Sequence, residues 1–149
     1  MANFWIFPSN NIASTIKRGV IGMWYLSRQT VERCDIEIKK GDRALIYQPK
    51  EIRGKFREFG FNYIGNFTID SDPFIETRGE ESYSINIKDF NLWDTFVTKN
   101  EQESFETDIA NGSEFGRLIH TQMVIRIEKE DYERIAELYA KKLATKLVK

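Results

Sequence analysis

Asn3-Phe4-Trp5-Ile6-Phe7-Pro8-Ser9-Asn10-Asn11 is the stretch that sets the fold class. Its apolar, aromatic part, Asn3 to Phe7, predicts a strand, and Pro8, which cannot donate to a sheet ladder, ends it. Pro8 to Asn11 then supplies turn and N-cap chemistry for a short helix from Ile12 to Arg18, which Gly19 would terminate. A strand that passes through a polar turn directly into a helix points to an α+β chain.

Further along, Val20-Ile21-Gly22-Met23-Trp24 lacks regular periodicity and reads as an extended loop, and Thr30 to Cys34 as one helical turn. Lys39-Lys40-Gly41-Asp42 is a turn that launches a strand over Arg43 to Tyr47, with Pro49 closing it. Phe59 to Ile69 and Tyr83 to Trp93 both alternate, which predicts two antiparallel neighbours. Thr98 to Gly116 is polar and acidic and reads as a partly helical excursion, and Leu118 to Ile127 as a last strand. The C-terminal helix opens on Glu130-Asp131 and carries Tyr132, Ile135, Ala136, Tyr139, Leu143 and Leu147 at helical spacing. About five or six short strands with two or three helices predict a small mixed β-barrel with flanking helices, whose mouth is a natural pocket. With no repeat or linker, residues 1–149 read as a single domain.

Composition narrows the chemistry. The 149 residues are 41% hydrophobic and 13% aromatic, enough for an ordinary core without disulfides or metals. Cys34 is the single cysteine and His120 the single histidine, so neither a disulfide framework nor a histidine-rich or thiolate metal site can be assembled within the chain. His120 reads as a structural or surface residue. The loop carboxylates Asp70, Asp72, Glu80 and Glu81 read as solvated rather than as an acid/base pair. No glycine-rich phosphate loop follows any strand. The chain is therefore expected to carry no catalytic residue, no cofactor and no metal. The segment Met1 to Pro8 lacks the features of a secretory signal and no run approaches a membrane span, so a cytoplasmic location without membrane contact is expected.

Net charge is -1, which argues against a domain that grips nucleic acid through its overall field. The charge is unevenly spread. Lys39 to Arg57 holds seven basic residues against two acidic, and Asp70 to Asp108 eleven acidic against three basic. Among the three tryptophans, Trp5 reads as core and Trp93 as core or rim; Trp24 serves either the core or a planar ligand.

Several of these pieces, taken in order, resemble the EVE domain, a PUA-like fold related to the YTH domain. The resemblance rests on Phe4 to Asn10, on Lys17-Arg18-Gly19-Val20-Ile21-Gly22, on Lys40 to Tyr47, on Tyr63 to Phe67, and on Met123 to Ile127 running into Glu130 to Ile135. It implies a PUA-like barrel whose relatives bind modified bases. Carried over position by position, it implies a base pocket bordered by Ser9 and Asn10 and by Tyr47 and Gln48, with Ile21, Gly22 and Trp24 at the family's wall position; the reading of the aromatic residues adds Trp93. Relatives often carry Trp directly after the Gly-Val pair, where this chain has Ile21; either Trp24 supplies that wall or the ligand differs.

The function so implied is a non-enzymatic module that captures one methylated or hydroxymethylated nucleobase of DNA or RNA. One methyl group in an apolar pocket brings only about 1–3 kcal/mol, so phosphate contacts are also needed, with Lys50, Arg53 and Lys55 as their expected source. A second reading uses the same mouth, without phosphate contacts, to sense a small molecule or nucleoside.

Overall fold

The computed structural model describes residues 2–9, 12–26, 38–48, 62–78, 80–98 and 124–147. In chain order these form β1 (Phe4–Pro8), α1 (Ile12–Ile21), β2 (Met23–Leu26), β3 (Arg43–Gln48), β4 (Asn62–Ile69), β5 (Phe74–Arg78), β6 (Glu80–Thr98), β7 (Ile125–Ile127) and α2 (Lys129–Leu147). The strands join in the order β2-β6-β4-β3-β1-β7, with β5 paired to β6. β1 and β3 are parallel, and the other pairings are antiparallel.

The sheet curls. β2 and β1 stand four strand steps apart, which in a flat sheet would separate them by about 19 Å. Yet the Trp24 ring centroid lies 5.9 Å from that of Phe7 on β1. Closure around these rings makes a half-barrel, the small mixed α+β barrel expected from the sequence. Its interior holds Trp5, Phe7, Trp24, Ile46, Phe67 and Ile85 among others. The opposite face holds Ile6, Leu45, Tyr47, Tyr63 and Trp93, covered by Tyr132 and Ile135 of α2. Neighbouring residues of β1 and β3 thus alternate between two cores, which is the period-two rule of a strand buried on both faces.

Some elements differ from the sequence reading. Gly19 does not end α1, which continues to Ile21 and stops at Gly22, whose φ is 78°. Gly19 is small for another reason: a Cβ there would lie 2.3 Å from the Phe90 ring of β6. The segment read as a loop is therefore the end of α1 followed by β2, which pairs with β6 over Tyr83 to Asn86. β5 went unrecognised because Phe74-Ile75-Glu76-Thr77-Arg78 is short, polar and paired on one side only. β6 outruns its expected bounds because it bends twice rather than ending. It carries one extra residue opposite Asn66 to Thr68 and three opposite Tyr63 to Gly65. The first irregularity includes Asp89 at φ 52°, a conformation that Asp tolerates better than most residues. The segments 27–37, 49–61 and 99–123 lie outside the described residues, and with them the expectations for Thr30 to Cys34, His120 and most of the acidic excursion.

Candidate ligand site at the barrel end

Because β1 and β3 are parallel, their carboxyl ends lie side by side, with Pro8 opposite Tyr47. The Ser9 N–H extends the pairing by donating to the Tyr47 carbonyl at 2.8 Å. The alternation that turns Phe7 and Ile46 inward turns Ser9 and Gln48 inward one step further on. The chain then enters α1, whose Thr15 is fully buried and hydrogen-bonded through its hydroxyl to that of Ser9. Three polar side chains thus close one end of an apolar interior.

Gln48 is the anomaly among them. Its exposure is 0%, and neither Nε2 nor Oε1 has a hydrogen-bond partner among the described residues. A buried polar group left without a partner costs about 1–3 kcal/mol. A primary amide offers a donor and an acceptor side by side, the pattern that pairs in two-pronged fashion with a nucleobase edge.

Trp24 forms the interior wall. It is 3% exposed, stacked on Phe67 at 5.1 Å and 28°, and set edge-on to Phe7. The Arg18 guanidinium lies over its ring, with Cζ 4.6 Å from the centroid. Burial lowers the Arg18 pKa, with Tyr25 acting in the opposite direction. Ile21, by contrast, is 54% exposed at the end of α1, and the Gly22 carbonyl is engaged by the Ile87 N–H at 2.8 Å.

The structure therefore brings Ser9, Gln48 and Trp24 to the barrel interior. It turns the rings of Tyr47 and Trp93 to the other face. Tyr47 packs on Tyr63 at 4.8 Å, and Trp93 stacks on Tyr139 of α2 at 4.3 Å and 6°. Asn10, Lys50, Arg53 and Lys55 lie outside the described residues. Sequence reasoning missed Thr15 and Arg18. The available signal was their spacing, since residues three apart on a helix share a face.

A cleft of about 460 Å³, lined by Asn3, Phe4, Arg126 and Glu128 among others, lies at the opposite end of β1. Its Arg126 guanidinium donates to the Asn3 side chain at 3.1 Å. Among the described residues no group of three or more His, Cys, Asp or Glu could hold a metal ion, and no helix is long and apolar enough to cross a membrane.

No protein-family model matches the chain, and no curated protein sequence matches it. Solved structures do share its fold. Rpa0253 from Rhodopseudomonas palustris superposes with a TM-score of 0.66 at 15% identity, covering 93% of this chain and 94% of that one. The N-terminal domain of Staphylothermus marinus McrB gives 0.62 at 11%, covering 92% and 94%. The YTH domain-containing protein Mmi1, solved as an RNA complex, gives 0.63 at 10%, covering 99% and 87%. These likenesses concern the fold.

Proposed function

We propose that the chain is a single EVE-like, PUA-like domain without catalytic activity, which captures one modified nucleobase of DNA or RNA at the carboxyl ends of β1 and β3. The observation that carries this reading is the Gln48 amide, wholly buried and without a partner among the described residues. An amide kept in this state at a cost to stability has the use that a base edge supplies. The fold shared with the RNA-bound Mmi1 domain supports the same class of ligand. Ser9, Thr15 and Trp24 shape the pocket around the amide, and a methyl or hydroxymethyl group is read by how it fits among them. Lys50, Arg53 and Lys55 add contacts to the backbone.

A two-pronged amide contact is worth about 1–3 kcal/mol of discrimination. Extruding a base from a duplex costs a few kcal/mol. Single strands are therefore the favoured targets.

The test follows tryptophan fluorescence and anisotropy while short single-stranded DNA and RNA oligonucleotides are titrated, each with and without one methylated or hydroxymethylated base. The wild-type chain should prefer one modified strand, and Gln48→Met, similar in length but without the amide, should lose that preference. An unchanged preference in Gln48→Met removes the amide from recognition. Equal binding of the free nucleoside and the oligonucleotide favours a nucleoside sensor instead.

A further inference from the structure

We infer that Arg18 binds the phosphate of the captured nucleotide, so that the ligand is a nucleotide unit rather than a bare base or nucleoside; the inference rests on the base-capture reading above. Arg18 is half-buried, and its guanidinium is packed on Trp24. No ion pair engages it among the described residues, whereas Lys88, Lys129 and Lys141 each face a carboxylate at 3.6–3.8 Å. A cation that gives up part of its hydration without gaining a counter-ion is poised to accept one. Burial already presses on this charge, as the lowered pKa records, but a guanidinium starts so high that it remains charged at neutral pH.

Geometry joins this cation to the base site. Thr15 and Arg18 stand three residues apart on α1, on one face and about 5–6 Å apart at Cβ. The Thr15 hydroxyl and the Arg18 side chain thus spring from one face of α1, about one helical turn apart along it. Trp24 keeps the planar fork in one orientation, which lowers the entropy cost of forming paired N–H···O bonds to a phosphate. The outer surface beside it is apolar, with Val20 82% and Tyr25 39% exposed, so Arg18 and its neighbour Lys17 concentrate positive charge where few other groups compete for an anion.

The experiment compares wild type, Arg18→Gln, Arg18→Lys and Gln48→Met. The probes are short single-stranded oligonucleotides carrying one N6-methyladenine, 5-methylcytosine or 5-hydroxymethylcytosine, with the matching nucleosides and 5′-monophosphates. Arg18→Gln should weaken oligonucleotide binding by about tenfold, flatten the salt dependence by about 0.7 in slope and erase the advantage of monophosphate over nucleoside. Arg18→Lys, which keeps the charge without the fork, should fall between. Thermal melting of each variant separates a lost contact from a lost fold, and Arg18→Lys is the comparison to rely on if the glutamine variant melts early.

If binding and salt slope survive in Arg18→Gln while Gln48→Met loses its base preference, the phosphate assignment is overturned and base capture stands. If Gln48→Met is neutral and Arg18→Gln loses binding, Arg18 is a phosphate site and base capture at Gln48 is overturned. Failure of every probe to bind the wild-type chain overturns both.

Discussion

The indole N–H of Trp5 donates to Oδ2 of Asp42 at 2.9 Å, across 37 residues of chain. The same carboxylate accepts from the Lys39 N–H at 3.0 Å and, through Oδ1, from the Asn3 N–H at 2.9 Å. One buried side chain thus ties the start of β1 to the turn that launches β3. Those are the two parallel strands whose far ends carry the proposed site.

Asp42→Ala should accordingly be costly. It leaves three donors without their acceptor, one of them the buried indole, for an expected loss of about 3 kcal/mol. Asp42→Asn, which retains an acceptor oxygen, should lose less. Urea unfolding measures both, and a loss below about 1 kcal/mol in Asp42→Ala would show that the strands are aligned by other contacts.

Gln48→Met should raise stability while it abolishes base preference. Removing a buried amide that has no partner among the described residues relieves about 1–3 kcal/mol, and methionine fills similar space with little strain. A higher melting temperature together with weaker binding is the expected pair of results. A variant that is less stable than wild type would mean that the amide has a structural role.

Gly19→Ala should destabilise α1 although alanine is the better helix former by about 1 kcal/mol. The added Cβ would meet the Phe90 ring at 2.3 Å, an overlap that costs about 1–3 kcal/mol when packed groups must shift. The same substitution in a Phe90→Ala background should instead be stabilising. A double-mutant cycle reads the difference, and additive effects would place the two residues out of contact.

Stability should fall in alkali. Burial first, then the neighbouring Tyr47 and Asp131, hold the Tyr63 phenol well above its ordinary value of 10.0, and burial also raises that of Tyr132. The unfolded chain releases these protons near pH 10 while the folded chain retains them. Stability is therefore intact below pH 10 and declines as pH rises toward the folded values. Tyr63→Phe should make the decline shallower, as denaturant titrations between pH 8 and 11 would show; an unchanged slope would assign the alkaline loss to other groups.

Local chemistry alone was enough for the first strand, the turn at Gly41, the strand after it and the C-terminal helix, because apolar runs, turn residues and helical spacing are written within a few positions of one another. Ser9, Trp24 and Gln48, named through the family resemblance and the aromatic pattern, are buried in the structure. Which face each side chain takes was decided by tertiary structure. Tyr47 and Gln48 are adjacent in sequence, yet the Tyr47 ring packs beneath α2 while the alternation of β3 turns Gln48 into the barrel. The curl of the sheet, absent from any local pattern, is what carries Trp24 onto Phe7 and Phe67. Gly19 shows the same division: its lack of a side chain reads locally as a helix stop, and only the approach of Phe90 from β6 makes it an interior contact. The sequence by itself determined which segments become strands and helices; closure of the sheet decided which polar groups would be left facing one another inside it, because that depends on contacts between residues far apart in the chain.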